Sequence, residues 1–281
     1  MQFVRYTDGA APTWGIKRDT TIHALAGLPQ GEPDLGDVSN PDYRSRVSTL
    51  VNEGTLTRVP VDEVSLLAPV PRPGKIVCCG LNYRDHAEEQ DEDIPERPML
   101  FGKAPTAVTN PGDPIVHPGG GEQVDYEVEL AVVVGRDGRN LSASDVPEHV
   151  AGYTVLNDVS GRTAQGRDGQ FFRGKSYDTF APMGPTLVAD EAFDPNGVDV
   201  ELRVDGEPKQ SSNTEQFVFD VNELLSYVSE AMTLRRGDVI STGTPGGVGI
   251  FRDPVEVLEP GQTVEATVEG IGTLRNPVVS G

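Results

Sequence analysis

The chain has 281 residues, 36% of them hydrophobic, and sets 44 acids against 23 lysines and arginines for a formal net charge of −21. That excess repels nucleic acid and anionic membranes, so neither is expected as a partner, and there is no run of 18 apolar residues to span a bilayer. Regular strand patterns argue against disorder, and the length suits one large domain, or a large and a small one, with a sizeable core.

The acids are dispersed and only five bases are lysines: Lys17, Lys75, Lys103, Lys175 and Lys209. Dispersed acid with scarce lysine is expected of a halophile's solvated surface, where salt screens self-repulsion. The opening MQFVRYTDGAAPTWG lacks the basic-then-apolar layout of a signal peptide, which predicts a cytoplasmic protein.

Residues 1–70 read as a small N-terminal domain. Short strands such as MQFVRY precede a polar stretch, LPQGEPDLGDVSNPDYRS, and a helix is predicted near 41–53. PVPRPGK (69–75) reads as a linker leading into the main domain, 71–281. Strands are predicted there at IVCCG (76–80), PMLFGK (98–103), DYEVELAVVVG (125–135), GYTVLND (152–158), VDVELRVDG (198–206), VFDV (218–221), DVISTG (238–243) and TVEATVEG (263–270), with a turn at VDGEP. A helix fits 221–233, with apolar residues at 221, 224, 225, 228, 231 and 232 and Asp220 placed to cap it; a shorter one begins near Asp85. This mix predicts an α+β, β-rich domain built on a curved or rolled mixed sheet. Cys78 and Cys79 are adjacent on a strand, so they point to opposite faces and are expected as buried residues, not as a bridge or a zinc set.

Three acids interrupt the apolar stretch 124–135. Asp125, Glu127 and Glu129 alternate with apolar residues, and strand residues two apart share a face about 7 Å from each other. Glu127 and Glu129 could converge on one hard cation, with oxygens at about 2.0–2.6 Å. The plainer alternative is a strand with one wet face. Against it, the segment stays apolar beyond 130 and no lysine or arginine interleaves with the acids. Asp158, in NDVS after an apolar strand, is a third candidate ligand or simply a turn residue. Two Glu and one Asp suit Mg²⁺, Mn²⁺ or Ca²⁺.

His86 and Glu89, in GLNYRDHAEEQ, share a face on a short helix. A carboxylate beside an imidazole orients it and strengthens it as a base, although such pairs also decorate surfaces. Arg162 and Gln165 in GRTAQ, and Arg173 and Lys175 in FFRGKSYDTF, offer groups for an anionic, oxygen-rich substrate. TGTPGGVG (242–249) presents Thr244 and a series of backbone N–H groups; it could cradle a carboxylate or be a plain turn. It has neither the P-loop ending nor a dinucleotide fingerprint. His23, His117 and His149 read as structural.

In this order, GLNYRDHAEE, PMLFGKAPTAV, GDPIVHPGGGEQVDYEVELAVVVG, GYTVLNDVSGRTAQ, FFRGKSYDTFAPMGP and MTLRRGDVISTGTPGGVG resemble the fumarylacetoacetate hydrolase family, across about 76–275. The resemblance implies a mixed β-roll catalytic domain with a small N-terminal domain, assembled as a homodimer. It implies Mg²⁺ (or Mn²⁺ or Ca²⁺) on Glu127, Glu129 and Asp158, and a water-activating His86–Glu89 pair on a mobile lid. It implies Lys175 as a catalytic residue and Arg162, Gln165 and Thr244 as substrate contacts. Thr163 stands where the family is expected to prefer aspartate.

The implied reaction is hydrolysis of a C–C bond in a small 2,4-dioxo acid, such as an acylpyruvate or fumarylpyruvate, through a metal-stabilised pyruvate enolate, as in the catabolism of aromatic compounds. The same chemistry serves isomerisation of 2-hydroxyhepta-2,4-diene-1,7-dioate, decarboxylation of oxaloacetate-type acids and dehydration of a 2-keto-3-deoxy sugar acid. A non-catalytic, Ca²⁺-stabilised binding module would explain the acids but not the His–Glu pair or the lysine loop. Specificity is expected from the stretch after Glu89 and from loops near 171–180 and 205–216.

Overall fold

The computed structural model describes residues 1–28, 31 and 33–281; Pro29, Gln30 and Glu32, inside the polar stretch noted above, lie outside the described residues. Ten strands follow one another across a sheet in the order Arg58–Pro60, Thr21–Ala24, Thr13–Arg18, Gln2–Thr7, Ala181–Val188, Val150–Asn157, Val128–Val134, Val239–Ser241, Ile76–Gly80 and Met99–Lys103. Ser65–Leu67 joins beside Gln2–Thr7, and Val108–Thr109 beside Ala181–Val188. A second sheet runs Glu207–Asn213, Asp199–Val204, Thr263–Val268, Gly272–Ser280 and Ile115–His117. Most pairs are antiparallel, but Val239–Ser241 lies parallel to Ile76–Gly80, Gly272–Ser280 parallel to Ile115–His117 and Val108–Thr109 parallel to Ala181–Val188. The expected β-rich α+β architecture with mixed sheets is therefore the one adopted. The N-terminal strands extend the main sheet, since Phe3 pairs with Leu187. No helix among the described residues is long and apolar enough to cross a membrane.

The strand Val128–Val134 is buried from end to end. Leu130, Val132 and Val134 face one core with Val200, Leu202 and Val264 of the second sheet. Ala131 and Val133 face another core with Ile76, Cys78 and Met183, to which Phe3, Trp14 and Val47 also contribute. A strand covered on both faces reads as a continuous apolar run, as this one does. Burial of each Val and Leu contributes about 1.5–3 kcal/mol, which makes the strand a stiff mount for the acids at its start.

The long acid-bearing strand expected over 125–135 is broken. Val124–Asp125 pairs with Ser160–Gly161, and a new strand starts at Val128. At the break, Glu127 N–H donates to Asn157 Oδ1 (3.0 Å) and Val128 N–H to Gln210 Oε1 (2.9 Å), so side chains replace the ladder. VFDV also differs from expectation: it forms no strand. Asn82 takes the backbone of Val218 and Phe219, and Asp220 opens the helix Val221–Ala231 with a capping box to Glu223. That helix buries Val221, Leu224, Leu225 and Val228. The helices Pro41–Glu53 and Arg84–Glu89 form where expected. VDGEP makes a two-residue hairpin turn with Asp205 and Gly206 both at positive φ.

Candidate active site

Antiparallel pairing assembles the acids. Val128 pairs with Asn157, so the residue after that strand, Asp158, falls beside Glu127, and its N–H donates to the Glu127 carbonyl at 2.8 Å. One oxygen each from Glu127, Glu129 and Asp158 lies within 4.8 Å of the others. All three side chains are buried.

Three cations surround them. Lys175 Nζ donates to Glu127 Oε2 (2.6 Å) and Asp158 Oδ2 (2.8 Å). Arg162 reaches Glu127 Oε1 (2.6 Å), Asp125 Oδ2 (2.9 Å) and Gln165 Oε1 (3.1 Å). Lys103, itself buried, holds the other Asp158 oxygen and the Val159 carbonyl. Glu129 has no lysine or arginine partner among the described residues; its Oε2 accepts from Ser241 Oγ and from Gly243 N–H (3.0 Å).

This unevenness splits the two glutamates. Burial raises the Glu127 pKa, but Lys175 and then Arg162 outweigh it and hold the group down at about 2. Burial, then Asp158 and Glu127, push Glu129 well above the usual carboxylate range. Lys175 loses basicity to burial but regains more from Asp158 and Glu127, so it stays charged. Lys103 is pushed down by burial, which Asp158 only partly offsets. Three converging carboxylates, one without a counter-charge, fit a hard divalent cation that takes oxygen ligands.

Glu127, Glu129, Arg162, Gln165, Lys175, Thr244 and His86 line one cavity of about 280 Å³, and Met99, Phe101, Phe171 and Phe251 supply its apolar walls. His86 Nδ1 stands 3.5 Å from Glu89 Oε2, long for a hydrogen bond, and Glu89 Oε2 also accepts the Gly247 N–H at 2.7 Å. The other ring nitrogen, Nε2, is 2.9 Å from the Gln90 amide nitrogen, which also donates to the His86 carbonyl at 3.3 Å. A carbonyl only accepts, so that end of the amide is the donor. A neutral His86 ring then accepts at Nε2 and carries its proton on Nδ1, on the side of Glu89.

The glycine loop cradles carboxylates, but they are the protein's own. Gly243 donates to Glu129, Gly246 to Asp85, Gly247 to Glu89, and Gly249 and Ile250 to Asp125. The Thr244 hydroxyl is engaged as well, donating to the Val128 carbonyl and accepting from Gln210. Arg173 lies away from the cavity, paired with Asp168. Thr163 fastens the 121–123 turn through Gly121 and Gln123. Cys79 faces the cavity and Cys78 the opposite core, both as thiols.

Sequence reasoning missed Lys103, Gln210, Gln90 and the anchoring of Asp125. Lys103 carried a signal, being one of five lysines and the end of an apolar strand. Gln210 carried none, because it reaches the site from the second sheet.

The chain matches the family model described as fumarylacetoacetate (FAA) hydrolase C-terminal over residues 75–279. It is 47% identical over 237 residues to the mitochondrial oxaloacetate tautomerase of Bos taurus, covering 82% of this chain and 76% of that one. Among solved structures, fumarylacetoacetate hydrolase from Exiguobacterium antarcticum superposes with a TM-score of 0.89 at 38% identity, covering 100% of both chains. A maleylpyruvate hydrolase from Sphingobium, in complex with manganese(II) and pyruvate, gives 0.83 at 29% identity over 100% of both chains. With its triad, its cavity and these relatives, the chain belongs to the fumarylacetoacetate hydrolase family.

Proposed function

We propose that the protein is a divalent-cation-dependent enzyme that moves a proton on a small 2-oxo acid, with keto–enol tautomerisation of oxaloacetate as its reaction. The observation that carries this is the His86 arrangement, an imidazole whose Nε2 meets, among the described residues, only the Gln90 amide in the cavity that Glu127, Glu129 and two cationic side chains line. Relatives named oxaloacetate tautomerase support the choice of substrate.

Glu127, Glu129 and Asp158 would hold Mg²⁺ or Mn²⁺, which supplies Lewis acidity toward the substrate's carboxylate and oxo oxygens. Arg162 meets the substrate carboxylate. Lys175, kept charged by its two acids, stabilises the negative charge that develops on the oxo oxygen. His86 Nε2 exchanges its Gln90 contact for the substrate. It takes the proton from the carbon beside the oxo group and returns it to oxygen, while Glu89 steadies the resulting imidazolium. Proton transfer of this kind contributes about 10²–10⁴-fold.

Hydrolysis of a C–C bond in a 2,4-dioxo acid is a second reading, supported by the maleylpyruvate hydrolase neighbour. The same His86 would then deprotonate water. Ultraviolet absorbance of the enol, followed with Mg²⁺, with Mn²⁺ and after chelation, tests the first reading, and a panel of acylpyruvates tests the second. Folded, metal-loaded protein that accelerates neither reaction would refute both.

A further inference from the structure

Asp125 is the remaining acid of the acid-rich stretch, and neither the cation triad nor the His86–Glu89 pair uses it. Its side chain is fully buried. The interruption of the strand at Tyr126–Glu127 turns it away from the triad and toward the glycine loop. Oδ1 accepts from the N–H groups of Tyr126 (2.9 Å) and Gly249 (3.0 Å). Oδ2 accepts from Ile250 N–H (3.0 Å) and Arg162 Nε (2.9 Å). Four donors match the four lone-pair sites of a carboxylate, so this one is saturated and has no room for a metal. Three of the donors are backbone groups, and they fix its position.

The fourth donor carries that position into the cavity. With Nε on Asp125, Arg162 places one Nη on Glu127 and the other on Gln165. Among the described residues these take three of its N–H groups, which leaves one on each Nη for a ligand carboxylate. On the other side of Asp125, Gly249 and Ile250 lead into Phe251, whose ring stands edge-on to His86 at 5.9 Å between centroids. The approach at Gly249 is close, because a Cβ there would meet both Asp125 Oδ1 and the Glu256 carbonyl. One carboxylate thus ties the cationic wall of the cavity to the segment packed against the base.

We infer that Asp125 is a positioning residue that locks Arg162 and the Gly249–Phe251 segment into one rigid piece. Arg162 thereby presents its free N–H pair to a substrate carboxylate at a fixed place relative to His86. This rests on the reading that Arg162 meets a 2-oxo acid's carboxylate. In Asp125→Asn the amide nitrogen cannot accept, so the two donors on one oxygen are lost; with that nitrogen in the place of Oδ2 these are Ile250 N–H and Arg162 Nε, and the guanidinium is freed to turn.

The test is calorimetric binding of oxalate, a mimic of the 2-oxo acid head, to Mg²⁺-loaded protein, alongside steady-state kinetics on oxaloacetate. D125N is expected to weaken oxalate about tenfold, as befits a lost charge-assisted hydrogen bond. It should raise KM more than it lowers kcat and leave the Mg²⁺-induced rise in Tm unchanged. Lysine cannot reproduce the guanidinium fork, so D125N added to R162K should cost no further oxalate affinity. Should D125N fail to fold, Asp125→Glu, which keeps the charge but displaces the carboxylate by one methylene, should weaken oxalate in the same direction. Normal oxalate affinity and KM in D125N with a lowered Tm would show a purely structural role and overturn the inference alone. Wild-type protein that ignores oxalate in the presence of Mg²⁺ would overturn the oxo-acid reading and this inference with it.

Discussion

Glu129→Gln should make the metal-free protein more stable while abolishing its response to metal. Glutamine keeps the shape of the side chain. Its carbonyl can accept from Ser241 and Gly243, as Oε2 does now, and its amide can donate toward Glu127 and Asp158. At the 4.8 Å limit of the triad and an effective dielectric constant of about 20, two like charges repel by about 3.5 kcal/mol. Glu129 faces two such neighbours, and the attraction of Lys175 is smaller than either repulsion. Removing the charge therefore relieves at least about 3.5 kcal/mol at a pH where the carboxyl would ionise. At 2–4 °C per kcal/mol this is at least about 7 °C in Tm. The raised pKa of Glu129 gives the sign with pH: its contribution is intact below the unfolded value of 4.5 and is lost as pH rises. The gain from E129Q is accordingly larger at pH 8 than at pH 5. Calorimetric melting of chelator-treated wild type and variant at both pH values, with and without Mn²⁺, reads all of this. A natively folded E129Q that melts below wild type at pH 8 without metal would refute the reasoning.

His86→Ala should lower oxaloacetate tautomerisation about 10²–10⁴-fold with metal binding intact, measured by steady-state kinetics and Mn²⁺ calorimetry. Gln90→Ala removes only the group that substrate must displace, so its kcat/KM should stay within about fivefold of wild type while H86A falls far further. Lys103→Met leaves Asp158 with a single lysine and should destabilise the metal-free protein by about 3 kcal/mol in urea melts, as breaking a buried pair does. Glu127, held at about 2 by Lys175 and Arg162 against the effect of burial, stabilises the metal-free fold above its unfolded value of 4.5 and less so as pH falls toward 2. E127Q should therefore flatten the acid limb of the stability–pH curve.

The acid triad was legible because its spacing follows from strand geometry. Glu127 and Glu129 are two apart, Asp158 directly follows the next long strand, and antiparallel neighbours bring such ends together. The capped helix at Val221 and the Asp-Gly hairpin were legible for the same reason, since each is decided by neighbouring residues. The central strand Ala181–Val188 was not, because Pro182 and Pro185 argue against a central strand. It accommodates them with a register irregularity opposite Tyr153 and Val155. The occupancy of the glycine loop was hidden too. Its N–H groups meet Asp85, Glu89, Asp125 and Glu129, acids more than 100 residues earlier, and no local pattern reports that pairing.

The central claim is that Glu127, Glu129 and Asp158 form the site of a divalent cation, and titration of chelator-stripped protein with Mn²⁺ tests it most directly. Wild type should bind one ion per chain and Asp158→Asn none under the same conditions. Stoichiometric Mn²⁺ binding by D158N, or none by folded wild type, would contradict the claim.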